Sequence, residues 1–389
     1  MSEHRVPSSL PDPLRVVIAG GGVAALEALV ALRELAPTRI APTLVTDATC
    51  FYYRPLLIGE PFGLDHPRRY ALEAICADLG AVLVRERVHE VLPDRHLVRT
   101  GAGLLAYDVL LACPGARAHP AFQDGVTFER EFSPEDFDEA LADFSDGFAP
   151  HVAIVVPDGV AWTMPAYELA LLTAAWGERH HPDSSCVTLL TPEPAPLAAF
   201  GPAVSDEVRD VLDAARVIVR CGVHPDVVTA TSLRAGGVWM GADRIVSLPL
   251  LGGPRLAGLP ADAQGFIRAD EDGRVVDVED VYVAGDASTF PVKQGGLAAQ
   301  QADRVVADVV RRAGGEAPEP EGLVLRGLLR TADGPRYLRA ELADVEGTSS
   351  ISAEPLWWPP STIAARRLAP YLAQVDVAQP DAGEMLPGQ

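Results

Sequence analysis

Three consecutive glycines, Gly20 to Gly22, interrupt a short β-branched run and are followed at once by a long alanine- and leucine-rich segment. The run around residues 16–18 predicts a buried strand, and the segment that ends near Leu35 has the spacing of a helix. A strand that turns on glycines into a helix is typical of a nucleotide-binding unit, because a residue without Cβ lets the backbone approach a pyrophosphate. This feature favours an α/β fold.

The glycine turn fits the dinucleotide-binding pattern G-x-G-x-x-G/A, with a turn that binds nothing as the alternative. We predict that the free N–H groups at the start of the following helix bind a pyrophosphate. Asp47 ends the second strand at the distance, about twenty residues, at which an acid accepts hydrogen bonds from ribose hydroxyls. Such an acid favours an unphosphorylated ribose, as in FAD or NAD. The predicted pyrophosphate-binding residues are Gly20, Gly22, Val23, Ala24 and Ala25.

The composition indicates a large acidic protein. With 389 residues, of which 48% are hydrophobic, the chain can fill two or three cores. Its formal net charge of −22 repels nucleic acid, so we expect no nucleic-acid partner. The five cysteines are single and scattered, and the N-terminus has no apolar signal segment, which favours a reduced, cytoplasmic protein. We predict no metal site and no membrane-spanning helix.

The alternation of strands and helices begins again after an acidic stretch, residues 127–149. The segments HVAIVVPDG and PAYELALLTAAW predict a strand and a helix, and a late buried strand, VYVAGDAS, ends at Gly285 and Asp286. A helix is predicted from about Gly296 to Arg312, and short strands between residues 81 and 107 separate the early units. The pattern predicts a doubly wound α/β protein.

A resemblance to a known family rests on five segments: VVIAGGGVAALEAL, FYYRPLLIGEPFG, YDVLLACPGAR, PAYELAL and VYVAGDASTFPVKQGGLAAQQA. Together they resemble FAD-dependent flavoproteins of the pyridine nucleotide-disulfide oxidoreductase type, nearest to the sulfide:quinone oxidoreductase and type II NADH dehydrogenase branch. The resemblance implies two interleaved Rossmann-like FAD/NAD(P)-binding domains of the three-layer ββα type. The implied divisions are 1–118 and 251–316 for the first domain, 119–250 for the second, and 317–389 for a short C-terminal interface region.

The resemblance implies FAD as the cofactor, with its adenosine ribose at Asp47 and its ribityl chain at Asp286. The helix that begins at Gly295 and Gly296 would point its N-terminus at the pyrimidine edge of the flavin, where reduction places negative charge. Lys293, the only lysine in the chain, is predicted to stabilise that charge, with a leftover surface lysine as the alternative. The other cofactor contacts predicted from the resemblance are Arg54, Val88, Gly115, Gly285 and Gln294.

The second domain lacks an intact glycine loop for NAD(P)H. In VVPDGVAWTMPAYELAL only Gly159 is left, and Pro157 has no N–H to donate. Trp162 and Met164 occupy positions that should approach phosphate, so we predict a poor pyrophosphate site. Glu193, at the end of the next strand, is interpreted as a solvated strand end, with a ribose ligand as the alternative.

Catalytic roles are predicted for Glu168 and Lys293. Glu168 matches a helix glutamate that lies near the flavin in this family and would relay protons, with a helix-surface acid as the alternative. Sulfide oxidation by such proteins needs two cysteines beside the flavin, but Thr163 or a neighbour stands where one would be. Cys113 is interpreted as a small buried side chain rather than a nucleophile.

The region near the acceptor contains Gln300 and Gln301, which partly match a quinone-binding motif of the type II NADH dehydrogenases. Their amides would bind a quinone carbonyl or, alternatively, only helix and flavin groups. The tail LWWPPSTIAARRLAPYLAQV is amphipathic. It predicts a helix packed over the flavin or against a second subunit, or else peripheral contact with the inner membrane face.

The residues and the resemblance together predict an FAD-dependent oxidoreductase that passes electrons from a small donor through flavin to a small acceptor, a quinone by resemblance. An NAD(P)H:quinone or ferredoxin reductase is the alternative within enzymes. A flavin-binding redox sensor without turnover is the alternative outside them. A homodimer is left open.

Overall fold

The computed structural model describes residues 12–64, 66–129, 134–182, 184–342 and 348–378. Within these residues every helix is too short or too polar to cross a membrane. The α-helices of this part of the chain are α1 (Val23–Leu35), α2 (Leu72–Leu79), α3 (Pro134–Ser145), α4 (Met164–His180), α5 (Pro202–Ala214), α6 (Gly295–Arg312) and α7 (Leu368–Ala378).

The first domain is built on a parallel five-stranded sheet. All four pairs of neighbouring strands are parallel. The edge strand Val281–Val283 follows the whole second domain in sequence, so the two domains are interleaved, as predicted. The strands lie in the order Val281–Val283, Val109–Ala112, Leu14–Ala19, Ile40–Val45 and Val82–Val84.

Each face of this sheet carries a different layer. Helices α1, α2, α6 and α7 share one apolar cluster with it. On the other face, a second cluster includes Val91, Val98 and Tyr107 from a small antiparallel sheet and its end. This is the predicted three-layer ββα arrangement. The strands of the small sheet are Val88–Leu92, Leu97–Thr100 and Gly103–Ala106.

The second domain has the same three-layer arrangement as the first. Its five strands are also parallel to their neighbours, with α3, α4 and α5 packed on one face. An antiparallel sheet packs on the other face. The parallel strands lie in the order Val126–Thr127, Arg244–Ser247, His151–Val155, Cys186–Leu190 and Val217–Arg220, and the antiparallel ones are Pro225–Val228, Ser232–Ala235 and Val238–Gly241.

A third unit, the C-terminal sheet, is antiparallel and consists of Val324–Leu329, Arg336–Glu341 and Ser349–Ser352. The sequence predicts its first two strands. Its apolar residues Leu325, Leu329 and Leu338 join the core of the second domain, whereas α7 packs on α1 of the first. The remaining paired strands are Cys50–Tyr52 with Arg69–Ala71 and Arg117–His119 with Leu250–Gly252.

Two local predictions differ from the structure. The sequence predicts a helix from Pro67 to Leu79, but the helix begins only at Leu72, because Arg69–Ala71 pairs with another strand. Helix α3 was not predicted within the acidic stretch, although it buries Phe137, Leu141 and Phe144 on one side. Their spacing of three and four residues is the signal that the high charge of this segment obscures.

Candidate functional site

Most of the predicted cofactor residues meet at the carboxyl ends of the first sheet, in a place here called the first crevice. Four parallel strands end there, and their following turns contain Gly20, Asp47, Gly115 and Gly285. In parallel α/β sheets, ligands bind in the crevice outside these ends. The fold therefore brings together predicted contacts that are far apart in sequence.

The glycine turn has the local geometry of a phosphate cradle. Gly20 has a φ of +132°, and a Cβ added to it would lie 2.0 Å from the carbonyl oxygen of Cys113. Gly22 is the N-cap of α1, and no atom of the described chain beyond its neighbours lies within 4 Å of where its Cβ would be. No described side chain caps this helix. Its first N–H groups are thus available to an anion.

Asp47 lies at the same edge of the sheet and is more than half exposed. Its Oδ2 is 3.2 Å from the guanidinium of Arg87, which directly precedes the strand that starts at Val88. An exposed ion pair of this kind is worth little energy and opens easily. The carboxylate is therefore accessible to a ribose hydroxyl, as its position predicts.

Gly285 and Asp286 follow the strand Val281–Val283. Gly285 has a φ of +77°, and a Cβ there would lie within 3.3 Å of the Cβ atoms of Ala24 in α1 and Ala298 in α6. Burial raises the pKa of Asp286, and the charges of Lys293 and Arg54 lower it in turn. Two predicted cofactor residues, Lys293 and Arg54, therefore interact electrostatically with the carboxylate of Asp286.

Lys293 is buried, with only 7% of its surface exposed. Its Nζ donates a hydrogen bond to the carbonyl oxygen of Ser288 and lies 4.0 Å from the ring centre of Phe266. Its backbone N–H reaches the carbonyl oxygen of Ala161 in the second domain, at 3.4 Å. The alternative of a leftover surface lysine does not fit this position.

The glutamines near α6 bind protein backbone. Gln294 caps α6 by accepting from the N–H of Leu297 at 2.8 Å, and its amide donates to the carbonyl of Arg326. Gln300 exchanges hydrogen bonds with Val324 of the C-terminal sheet, and Gln301 accepts from the N–H of Gly285 at 2.7 Å. These contacts fit the alternative in which the amides satisfy local groups rather than a quinone.

The tail covers one flank of the first turn of α6. A Cβ added to Gly295 would lie 3.3 Å from Ile363, and one added to Gly296 would lie 3.5 Å from the carbonyl oxygen of Ala364. The N–H of Ile363 donates to the hydroxyl of Tyr53 at 2.9 Å. The amphipathic run thus packs on the first domain, and its helix begins only at Leu368.

Glu168 is buried in the first turns of α4, not on the helix surface. Its Oε1 lies 3.1 Å from Nε of Arg330, a residue that sequence reasoning did not select. Arg330 also donates to the carbonyl oxygen of Pro55. This arginine therefore joins the C-terminal sheet to both domains. No sequence pattern predicts the pairing, because the two residues belong to separate units.

The corresponding place in the second domain, the second crevice, is partly covered by protein, although Asp158 and Gly159 before α4 stay exposed. A Cβ added to Gly327 of the C-terminal sheet would lie 2.2 Å from Cε of Met164 and 3.0 Å from Phe200. The ring centre of Trp162 lies 6.0 Å from that of Phe200. The C-terminal sheet thus covers the start of α4, where a second pyrophosphate would bind.

Glu193, at the edge of the second crevice, is engaged in an internal network. Its carboxylate accepts hydrogen bonds from the hydroxyls of Tyr167 and Thr191 at 2.7 and 3.1 Å, and from the N–H of Ala198 at 3.2 Å. Burial raises its pKa. The interpretation of Glu193 as a solvated strand end is therefore wrong. Its hydrogen-bonding capacity is used to hold the loops of the second domain.

Cys113 is the one cysteine in a predicted family segment, and it is buried at the end of the strand Val109–Ala112. Burial raises the pKa of its thiol to about 12. Because the thiolate is the reactive form, this side chain is unreactive near neutral pH. The interpretation of Cys113 as a small buried side chain fits the structure.

The fold and the first crevice define a flavin-type oxidoreductase. Residues 14–305 match the family model described as pyridine nucleotide-disulphide oxidoreductase, and the chain belongs to this family. Members of the family typically bind FAD. No curated protein sequence is significantly similar to the chain.

Solved structures share the fold at low sequence identity. The sulfide:quinone oxidoreductase of Aquifex aeolicus is 17% identical with a TM-score of 0.76, over 96% of this chain and 93% of that one. A ferredoxin reductase from Rhodopseudomonas palustris is 20% identical with a TM-score of 0.63, over 85% and 83%. An NAD-dependent persulfide reductase from A. fulgidus is 19% identical with a TM-score of 0.62, over 85% and 64%.

Proposed function

We propose that this protein is an FAD-dependent oxidoreductase that takes electrons from a donor other than NAD(P)H and passes them to a small acceptor, a quinone in the first instance. The FAD site is the first crevice. The observation that carries the choice of donor is the packing of the C-terminal sheet on Met164 and Phe200, which covers the start of α4 in the second crevice.

The residues of the first crevice fit FAD in shape and charge. The turn at Gly20 and the open position at Gly22 suit a pyrophosphate, and the uncapped start of α1 supplies N–H donors. Asp47 is placed for an adenosine ribose, and Asp286 for the ribityl chain. When bound, FAD supplies a two-electron redox centre that the protein side chains cannot provide.

The chain's own residues contribute position and charge. Lys293 brings a buried cation to the junction of the two domains, where it favours negative charge on a neighbouring ligand. Gln301 fixes the turn at Gly285 by accepting its N–H. Glu168, in the second domain, holds the C-terminal sheet through Arg330, so we assign it a positioning role beside the proton relay first predicted.

Quinone as the acceptor is supported by the likeness to a sulfide:quinone oxidoreductase over nearly the whole of both chains. Sulfide as the donor is not proposed. Cys113 is buried with a raised pKa, and among the described residues Cys50, Cys76, Cys186 and Cys221 are likewise free thiols outside the first crevice turns. A pair of cysteines beside the flavin is what sulfide chemistry would need.

Anaerobic titration of the FAD-loaded protein tests this proposal. We expect NADH and NADPH to leave the flavin absorbance largely unchanged, while dithionite bleaches it and a soluble quinone then restores it. Rapid bleaching by either nucleotide would contradict the choice of donor and favour the NAD(P)H reductase. A reduced flavin that quinone reoxidises only slowly would favour the redox sensor without turnover.

A further inference from the structure

Lys293 is enclosed by groups from several segments. Phe266 covers its Nζ at 4.0 Å, the carbonyl of Ser288 accepts its hydrogen bond, and its backbone is tied to Ala161. An aromatic face and one carbonyl oxygen solvate an ammonium group less well than water does. The charged form of this amine therefore depends on the charges around it.

Two carboxylates act on this amine. Asp286, on the turn after the strand Val281–Val283, and Asp262, on the segment before Phe266, both raise the pKa of Lys293. Arg54 in turn acts on Asp286. Desolvation outweighs the two carboxylates, and the pKa of Lys293 falls to about 8. The amine can therefore be found in either protonation state near neutral pH.

We propose that Lys293 takes up a proton from solvent when the neighbouring flavin is reduced, and so couples reduction to protonation of the protein. The inference rests on the proposed FAD site. Reduction adds negative charge beside the amine, and a nearby negative charge favours its ammonium form. A lysine can respond in this way, whereas an arginine in its place would remain charged throughout.

Electrons and protons balance in the proposed step. Two electrons from the donor and one proton reduce the flavin. Above the pKa of Lys293 in the oxidised protein, a second proton moves from solvent to its Nζ and forms one N–H bond. Below that pKa the amine is already protonated, and reduction takes up only the first proton.

The pH dependence of the flavin midpoint potential tests this inference. Below about pH 8 we expect the midpoint potential to fall with pH at the rate for one proton taken up per two electrons. Above about pH 8 we expect it to fall twice as steeply. The test uses the FAD-loaded protein, with potentials from dye-coupled spectroscopic titration. A single slope from about pH 6 to about pH 10 would overturn the inference and leave the proposed function standing.

Two substitutions separate this role from a structural one. Lys293→Met removes the titrating amine, and Lys293→Arg keeps a positive charge that does not titrate in this range. Both should lose the change of slope, and only the arginine variant should keep a potential near that of the wild type below pH 8. A change of slope that persists in either variant would contradict the inference.

Proton uptake by the wild-type protein provides a test that needs no variant. On reduction in weakly buffered solution with an indicator dye, the protons taken up per two electrons should rise from about one below pH 8 to about two above it. A constant value of about one would overturn the inference. A protein that binds no FAD would overturn the proposed function as well, and the missing flavin spectrum makes that failure distinct.

Discussion

Nε of Arg330, just beyond the first strand of the C-terminal sheet, lies 3.1 Å from Oε1 of Glu168 in α4. The side chains are only 14% and 3% exposed. The pair crosses from one structural unit to another at the edge of the covered second crevice. Removing this ion pair therefore tests whether it holds the C-terminal sheet on the second domain.

The substitution Arg330→Met should lower the free energy of unfolding by about 3 to 5 kcal/mol, because it leaves the carboxylate of Glu168 buried without its guanidinium. Urea unfolding of the purified protein measures this. The control is Arg339→Met, which removes a partner of Glu341 in the same sheet, where both side chains are about one-third exposed. That variant should change by less than about 1 kcal/mol. Equal effects in the two variants would contradict the buried pairing.

We expect Gly20→Ala to lower the stability of the protein and Gly22→Ala to weaken its binding of FAD. Gly20 has a positive φ and no room beside Cys113, so its substitution should cost about 3 kcal/mol or more in unfolding free energy. The backbone of Gly22 is extended and its Cβ position is open, so the unfolding free energy of the apoprotein should change by less than about 1 kcal/mol. Its new methyl group should nevertheless weaken FAD binding at least about tenfold, because the backbone can no longer approach the pyrophosphate.

Urea unfolding and FAD titration of both glycine variants make that comparison. Unchanged FAD affinity in a folded Gly22→Ala protein would place the pyrophosphate elsewhere. A Gly20→Ala protein of normal stability would contradict the close approach of the turn to Cys113.

Glu27 should make the protein less stable as pH rises. Its side chain is fully buried in α1, and its carboxylate accepts hydrogen bonds from the N–H groups of Arg367 and Leu368. Burial and, to a smaller extent, the charge of Asp303 raise its pKa to about 8. Because the folded state then binds a proton that the unfolded state has released, the unfolding free energy falls between about pH 5 and pH 8. The contribution of Glu27 alone to this slope is at most about 1.4 kcal/mol per pH unit.

Urea unfolding across this pH range measures the effect. Glu27→Gln should flatten the slope, because an amide has no proton to lose. The same substitution at Glu34 of α1, which is half exposed and also pairs with Arg367, should leave the slope unchanged. Parallel curves for the wild type and Glu27→Gln would refute the assignment.

The contact of Gly327 with Met164 predicts a coupled pair of substitutions. Gly327→Ala should destabilise the protein by about 1 to 3 kcal/mol, because the added methyl group meets Met164 and Phe200. Combining it with Met164→Ala should cost less than the sum of the single changes, by about 1 kcal/mol or more. Gly322→Ala, at an open position, is the control. Strict additivity would mean that the sheet does not pack there.

Much of the fold could be predicted because it depends on local patterns. The strand, glycine turn and helix around Gly20 obey rules that act within about twenty residues, and so does the strand that ends at Gly285. The helix of PAYELALLTAAW is α4, and the first two strands of the tail are present as predicted. These elements needed no knowledge of distant contacts.

The parts that sequence reasoning missed depend on contacts between distant segments. Arg330 acquires its role only when the C-terminal sheet docks against α4, and Glu193 joins its hydrogen-bond network only when Tyr167 reaches it from that helix. For Gln301 the sequence left two roles open, and only the folded chain brings its amide oxygen to the N–H of Gly285. Each of these outcomes is set by tertiary packing, which periodicity and spacing do not report.

The uptake of FAD by the purified protein tests the central claim most directly. After incubation with FAD and gel filtration, we predict a yellow protein with about one flavin per chain and markedly weaker retention by Gly22→Ala. A wild-type protein that is folded but emerges colourless, with all FAD in the small-molecule fraction, would contradict the proposed site and the function built on it.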